Sequence, residues 1–322
     1  MDQLANPYAP SLRVLEALSS EGHFRRPAQT VAGGLIERIA DREGFAPDWI
    51  TIGSGIDDLL VALVRGYGRS DNVVLFPPTD MHTQTLVGRL GFDPVLVPRS
   101  SQFTLDLDRP GLPPFPPVAL SIVQHPNDPT GTPITVQDAV RLVRRSRLLV
   151  IDERHGGYGA RSLLPLVREF DRIIVLRTFE TWAGLTSLPL AVAFGAPDAI
   201  ARIRAEQLLA VPTASLIAAH ATLDDMRVIE SGLMRVKDEK ARLYRMLRKL
   251  NMLRPLPSWA NFVLTQIERG DTVTIRAELL ERGIVVHAPT HPELDGTLRI
   301  SATSHEATAA LRSALIELAP ML

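Results

Sequence analysis

The sequence of 322 residues contains no cysteine, and lysine accounts for only three of its 35 basic side chains. Without cysteine there are no disulfide bridges, thiolate nucleophiles or cysteine-ligated metal sites. The lysines are Lys237, Lys240 and Lys249, so the first 236 residues offer no side-chain amine. Any chemistry that needs a lysine would depend on this one charged helical stretch, far in sequence from every predicted strand end.

The chain also lacks long hydrophobic runs and an excess of charge of either sign. No apolar run approaches the ~20 residues needed to cross a bilayer. The opening residues, MDQLANPYAP, lack the basic and apolar regions of a signal peptide. A formal net charge of −1 gives no electrostatic footprint for nucleic acid or an anionic membrane. We therefore expect a soluble, cytoplasmic protein without nucleic-acid or membrane partners.

Short β-branched segments alternate with helical segments through much of the chain. The predicted strands are 72–76, 94–97, 118–123, 148–151, 173–176 and 188–194, and the intervening helices are 30–42, 59–64, 81–90 and 136–144. This alternation is typical of a mostly parallel sheet that is covered by helices on both faces. Ligands on such sheets bind at the carboxyl ends of the strands, so candidate functional residues are expected directly after each strand.

Polar motifs follow the predicted strands. The turn Gly53-Ser54-Gly55-Ile56 precedes an apolar helix, where free N–H groups and the helix dipole favour an anion, although a plain helix start is an equally good explanation. Asp80 and His82 come after strand 72–76. The later strands are followed by the motifs QHPNDPTG (124–131), DERH (152–155) and RTFETWAGLTSL (177–188).

These motifs resemble those of class I/II aminotransferases, in particular the histidinol-phosphate aminotransferase group. RTFETWAGLTSL is similar to the family's R-T-F-S-K-A-F-G-L-A-G-L, QHPNDPTG to N-P-N-N-P-T-G, DERH to D-E-A-Y, and TLRIS (297–301) to L-R-[IV]-[ST]. The motifs occur in the family's order along the whole chain. The resemblance implies an α/β, fold type I aminotransferase-like architecture, with a mostly parallel sheet flanked by helices in a large domain and a small α+β domain.

The resemblance also implies a domain organisation and an assembly. The large domain is expected over 23–205, and the small domain over 1–22 and 206–322, with family-like strands at 262–266, 283–286 and 297–301. Members of this family are dimers that build their sites at the subunit interface. We therefore expect a homodimer in which the arm Asn6–Pro10 reaches across to the partner.

Several family residues are replaced. The lysine that forms the Schiff base aligns with Thr181, the phosphate-binding serine before it with Glu180, and a phosphate-binding arginine with Pro189. Thr181 cannot form an imine, and Glu180 would repel a phosphate by on the order of 4 kcal/mol per charge pair at ~4 Å. We therefore expect no cofactor, with pyridoxal or pyridoxamine phosphate disfavoured, and we interpret Gly53–Ile56 as a vestigial phosphate turn.

Ionisable side chains remain at the family's site positions. Asp152, which pairs with the pyridinium nitrogen in the family, is retained, whereas Asp128 replaces an asparagine and His155 replaces a tyrosine. Crowded ionisable groups of this kind can act as acid and base. The catalytic candidates are Asp152, His155, Glu180, Asp128 and Thr181. Arg299 aligns with the family's substrate-carboxylate anchor, and Tyr8, Asp80 and His82 complete the predicted substrate-binding set, with no metal site assigned.

Each candidate residue also has a structural alternative. Asp152 could cap N–H groups, His155 could pack under Tyr158, and Glu180 could be the internal partner of Arg299.

Three functions of the protein stay open. The first is a pyridoxal-phosphate-independent enzyme that acts on a small amino-acid-like carboxylate by elimination, cyclisation or hydrolysis. The second is a non-catalytic homologue that binds a ligand or partners an active aminotransferase. The third is a lysine-free enzyme that uses free pyridoxal or pyridoxamine phosphate with His155 as the base.

Overall fold

The computed structural model describes residues 1–20, 22, 27–68, 73–108 and 118–320. Residue 23, where the predicted large domain begins, and Asn72, where a strand was predicted to begin, lie outside the described residues.

Within the described ranges, seven strands form the central sheet. They are β1 Ile50–Gly53, β2 Val73–Leu75, β3 Val95–Leu96, β4 Val118–Gln124, β5 Ser146–Asp152, β6 Ile173–Thr178 and β7 Ala191–Phe194. Their order is β1-β7-β6-β5-β4-β2-β3. Strands β2 to β6 pair in parallel, whereas β7 is antiparallel to both β1 and β6. The prediction of a mostly parallel sheet is confirmed.

Helices cover both faces of this sheet. They are α1 Leu12–Ser19, α2 Ala28–Glu43, α3 Ile56–Tyr67, α4 Met81–Arg89, α5 Val136–Arg145, the single turn α6 Phe179–Trp182, α7 Pro197–Glu206 and α8 Thr213–Asp224. Alternate side chains of β6 enter two different apolar clusters, with Val175 in one and Ile174 and Leu176 in the other. Because side chains of a β-strand alternate between its two faces, successive residues at the ends of β5 and β6 project to opposite faces of the sheet.

A second, antiparallel sheet contains the strands β8 Leu253–Pro255, β9 Phe262–Ile267 and β10 Thr297–Ser301, in the order β10-β9-β8. Helices α9 Met226–Leu247, α10 Thr272–Glu281 and α11 His305–Leu318 pack against it. Val236, Val263 and Leu311 share its apolar core. Among the residues that the structure describes, no helix is long and apolar enough to cross a membrane.

Two local predictions are wrong. The strand predicted over 283–286 is absent, because Gly283 turns the chain with φ 74° and only the single bridge between His287 and Arg299 follows. The strand predicted over 188–194 begins only at Ala191, after Pro189, which has no N–H to donate to a neighbouring strand.

Candidate functional site

The candidate residues converge at the carboxyl ends of β4, β5 and β6. Gln124 at the end of β4 lies opposite Asp152 at the end of β5, and Asp152 lies opposite Leu176 of β6. The loop that carries Asp128 and the turn that carries Glu180 therefore start from the ends of β4 and β6, the two strands on either side of β5. The glycine turn before α3 faces the same place, since a Cβ atom at Gly55 would lie 3.1 Å from Oε1 of Glu180.

Asp152 is fully buried, with no exposed surface, and it is paired with Arg154. Nε and Nη2 of Arg154 lie 2.7 Å and 2.6 Å from Oδ2 of Asp152, and the backbone N–H of Arg154 donates to Oδ1 at 3.0 Å. Nη1 of Arg154 also reaches Asp80 at 3.4 Å. Burial works to lower the pKa of Arg154, but Asp152 and Asp80 outweigh burial and raise this pKa. Arg154 therefore keeps its positive charge although it is buried.

Arg299 is 7% exposed and is enclosed by carboxylates. Its Nη1 lies 2.8 Å and 2.7 Å from the two oxygens of Asp128. Its Nη2 donates to the backbone oxygen of Asp2 at 3.2 Å and lies 3.3 Å from Oδ1 of that residue. The internal partner of Arg299 is thus Asp128, and not Glu180 as the sequence had suggested.

His155 and Glu180 have pKa values shifted in opposite directions. Burial lowers the pKa of His155 to about 3, and the nearby cations Arg154 and Arg299 add to this effect. Its Nε2 lies 3.8 Å from Asp128, and its Nδ1 has no hydrogen-bond partner among the described residues. Burial raises the pKa of Glu180, whose Oε1 accepts a hydrogen bond from the hydroxyl of Thr178 at 3.1 Å. At neutral pH His155 is therefore uncharged.

The remaining predicted residues are more scattered. The hydroxyl of Thr181 donates to the backbone oxygen of Arg154 inside the site. His82 lies at an exposed position, with Nε2 2.6 Å from Oδ2 of Asp57, and Asp80 caps α4 by accepting from the N–H of His82. Tyr8 instead packs against α9, under the guanidinium of Arg235 at 3.7 Å from the ring centroid.

The amino-terminal arm is bound within its own chain. The N–H of Asn6 donates to the backbone oxygen of Thr181 at 2.8 Å, and its side-chain amide donates to the backbone oxygen of Trp182 at 3.0 Å.

His155 packs edge-on against Phe262, with ring centroids 5.9 Å apart. This contact replaces the packing under Tyr158 that the sequence had suggested.

Two residues of the site, Arg154 and Asp2, were not predicted from the sequence. Arg154 had a local signal, because an arginine stands in the DERH motif where the family pattern has alanine. Asp2 had none, since it lies 297 residues from Arg299 and only the folded chain brings the two together.

Comparison with known proteins identifies the family. The sequence model of aminotransferase class I and II matches residues 5–315. The chain belongs to this family. The histidinol-phosphate aminotransferase of Roseiflexus castenholzii is 32% identical over 339 residues, which cover 99% of this chain and 89% of that protein.

Solved structures show the same fold. The histidinol-phosphate aminotransferase from Clostridium acetobutylicum has a TM-score of 0.89 at 17% identity, covering 100% of this chain and 99% of that one. The one from Sinorhizobium meliloti, in complex with pyridoxal-5′-phosphate, has a TM-score of 0.84 at 22% identity, covering 99% and 90%. The predicted family and the fold type I, α/β architecture are confirmed.

The prediction that this protein uses no cofactor is contradicted. Its relatives include histidinol-phosphate aminotransferases, and the one from Sinorhizobium meliloti is solved in complex with pyridoxal-5′-phosphate, so the family points to that cofactor. The side chains of this chain do not fit pyridoxal phosphate in the arrangement they adopt. The carboxylate of Glu180 fills the turn at Gly55, and both oxygens of Asp152 are bonded to Arg154. Binding of the cofactor would require both side chains to move.

Proposed function

We propose that this aminotransferase-family protein is a biosynthetic enzyme that acts on a small amino-acid-like carboxylate by acid–base chemistry. The observation that supports it is the pair Glu180 and His155, whose pKa values burial shifts in opposite directions and which both interact with the charge of Arg154. Ionisable groups with perturbed pKa values are typical of acid–base sites. In this proposal Glu180, whose pKa is raised, donates a proton and neutral His155 offers Nδ1 as an acceptor, for elimination, cyclisation or hydrolysis.

In this proposal Arg299 anchors the substrate carboxylate. Its Nε has no hydrogen-bond partner within the described ranges, and its contact with Asp2 is to a side chain that is 42% exposed. A substrate carboxylate could therefore displace Asp2 while Asp128 stays in place. Guanidinium groups are suited to this exchange, because they bind carboxylates through several N–H groups at once.

The test is turnover of a panel of amino-acid-like carboxylates, followed by mass spectrometry. We expect Glu180→Gln and His155→Phe to lower kcat by about 100-fold or more, as is typical for loss of a general acid or base. Arg299→Ala should mainly raise KM. The exposed Glu37→Gln on α2 serves as the control. Unchanged turnover in all three site variants would disprove the proposal.

A second candidate function is a non-catalytic homologue that binds a ligand or partners an active aminotransferase. The observation in its favour is the complete burial of Asp152 under Arg154, because the carboxyl group of Asp152 is then not available to a substrate. It predicts no turnover by the parent chain on the whole panel, together with a stable complex with an aminotransferase or a small molecule. Co-purification and calorimetry distinguish this candidate from the first.

Assembly, location and domain division follow from the family resemblance. We propose a cytoplasmic homodimer, with a large domain over 23–205 and a small domain over 1–22 and 206–322. The two separate sheets support the domain division. Light scattering of the purified protein tests the dimer, and limited proteolysis tests the domain boundaries.

A further inference from the structure

A cavity of ≈ 300 Å³ lies on the face of the central sheet opposite Asp152. Glu153 and Arg177 project to this face, because they follow Asp152 and Leu176 directly on the pleated strands. Helix α2, the loop 156–162 and the junction of α8 and α9 complete the walls. The volume is at the lower end of the range for small-molecule sites.

Arg177 lies at the polar end of the cavity and keeps part of its donor capacity. Its Nε lies 3.1 Å from Oε2 of Glu153, its Nη1 lies 3.1 Å from Oε2 of Glu43, and its Nη2 donates to Oγ of Ser162 at 2.7 Å. In the part of the chain that the structure describes, these bonds use three of the five N–H groups of the guanidinium. The side chain is 27% exposed, so the other two can donate to a ligand.

Glu43 lies beside Arg177 and offers an acceptor. One oxygen is paired with Arg177, whereas the other has Arg42 at 3.7 Å as its nearest cation. The Glu43 side chain is 26% exposed. Glu153, in contrast, is buried and already accepts from Ser162, Leu163 and Arg177. The cavity thus presents the Glu43 carboxylate as an acceptor next to guanidinium donors, and Glu230, which also lines it, has Arg42 at 3.5 Å.

The other walls are apolar and largely aromatic. Phe179 and Trp182 lie with ring centroids 4.9 Å apart, and Phe194 and Leu223 also line the cavity. Aromatic walls of this kind favour a planar or bulky apolar group. A ligand that is complementary to the whole cavity carries such an apolar group next to a hydrogen-bond donor and a hydrogen-bond acceptor.

We infer that this cavity binds a free α-amino acid with an aromatic or large aliphatic side chain. Its ammonium group would donate to Glu43, its carboxylate would accept from Arg177, and its side chain would lie among Phe179, Trp182 and Phe194. Opposite charges within hydrogen-bond distance give strong, oriented contacts to both ends of a zwitterion. The inference is independent of the chemistry proposed at Glu180 and His155.

The test is isothermal titration of the full chain with L-phenylalanine, 3-phenylpropionate and phenethylamine. We expect L-phenylalanine to bind, and the two analogues, which lack the ammonium and the carboxylate respectively, to bind at least tenfold more weakly. Trp182 in the wall should report the binding as a change in fluorescence. No binding of L-phenylalanine at millimolar concentration, or equal binding of 3-phenylpropionate, would overturn the inference.

Variants locate the binding. Glu43→Gln should weaken binding of L-phenylalanine at least tenfold, whereas the matched Glu37→Gln on the same helix should not change it. Leu223→Trp fills the cavity and should abolish binding without touching the ion pairs, and circular dichroism would verify that it folds. If Leu223→Trp keeps full affinity while Arg299→Ala loses it, the ligand binds at Arg299 and the inference is wrong.

Discussion

Nη1 of Arg299 lies 2.8 Å and 2.7 Å from the two oxygens of Asp128, although 171 residues separate them in the chain. Arg299 belongs to β10 of the second sheet, and Asp128 belongs to the loop after β4 of the central sheet. Both side chains are nearly inaccessible to solvent. The contact therefore joins the two sheets and neutralises an arginine within an apolar strand, since a buried charge without a partner is costly.

Removal of Asp128 should destabilise the protein. Breaking a buried ion pair leaves an unpaired charge, which costs about 3–5 kcal/mol. We expect Asp128→Ala to lower the free energy of unfolding by this amount, and Asp128→Asn to lower it less because the amide oxygen can still accept from Arg299. Urea denaturation measures both, with the exposed Asp106→Ala as the control. Equal stability of Asp128→Ala and Asp106→Ala would show that the pair contributes nothing.

Removal of Arg154 should have two effects. The buried carboxylate of Asp152 loses its cation, so Arg154→Ala should lose about 3–5 kcal/mol of stability. The variant should also bind pyridoxal phosphate more tightly than the parent chain, because Asp152 becomes free to pair with the pyridinium nitrogen. Absorbance between ~330 and ~430 nm measures cofactor binding. Arg147→Ala, at an exposed position of β5, the strand that precedes Arg154, is the control. Equal binding by all three proteins would contradict the prediction.

His155 should make stability depend on pH. Its pKa is about 3 in the folded chain and ~6.5 when unfolded, so the unfolded state takes up a proton first as the pH falls. The contribution of neutral His155 to the free energy of unfolding is fully present above pH ~6.5 and is lost progressively as the pH falls toward 3. The slope is at most on the order of 1.4 kcal/mol per pH unit.

Chemical denaturation at pH 7 and pH 4.5 measures this loss. We expect His155→Leu to be less sensitive to acid than the parent, while His305→Leu, at an exposed position, should follow the parent curve. Identical pH dependence in the parent and in His155→Leu would rule out His155 as the source.

Gly184 should resist substitution. It has φ 66°, and a Cβ atom there would lie 2.7 Å from the backbone oxygen of Ala9 in the amino-terminal arm. Gly184→Ala should therefore cost about 1–3 kcal/mol, since the conformation is unfavourable for other residues and the arm must shift. Gly88→Ala in α4, where no atom lies within 4 Å, should instead be neutral or stabilise by up to ~1 kcal/mol. Thermal unfolding compares the two variants.

The positions of the strand ends were predictable because they depend on short-range patterns. Mostly apolar runs of four to six residues marked β4, β5 and β6. The common direction of these strands placed Asp128, Asp152 and Glu180 at one edge of the sheet. The replacement at position 181 was also visible directly in the sequence. The strand predicted over 283–286 failed, because pairing of a short segment depends on the position of its neighbour.

The sequence by itself determined the family and the α/β fold, and it placed Asp128, Asp152 and Glu180 directly after strands, since periodicity and motif order are local properties. Only the tertiary structure decided which charges pair. It paired Arg154 with Asp152, and Arg299 with Asp128 and Asp2. On the opposite face of the sheet it paired Arg177 with Glu43. Most of these partners come from distant parts of the chain, and the partner that each charge takes is set by distance and burial, which only packing establishes.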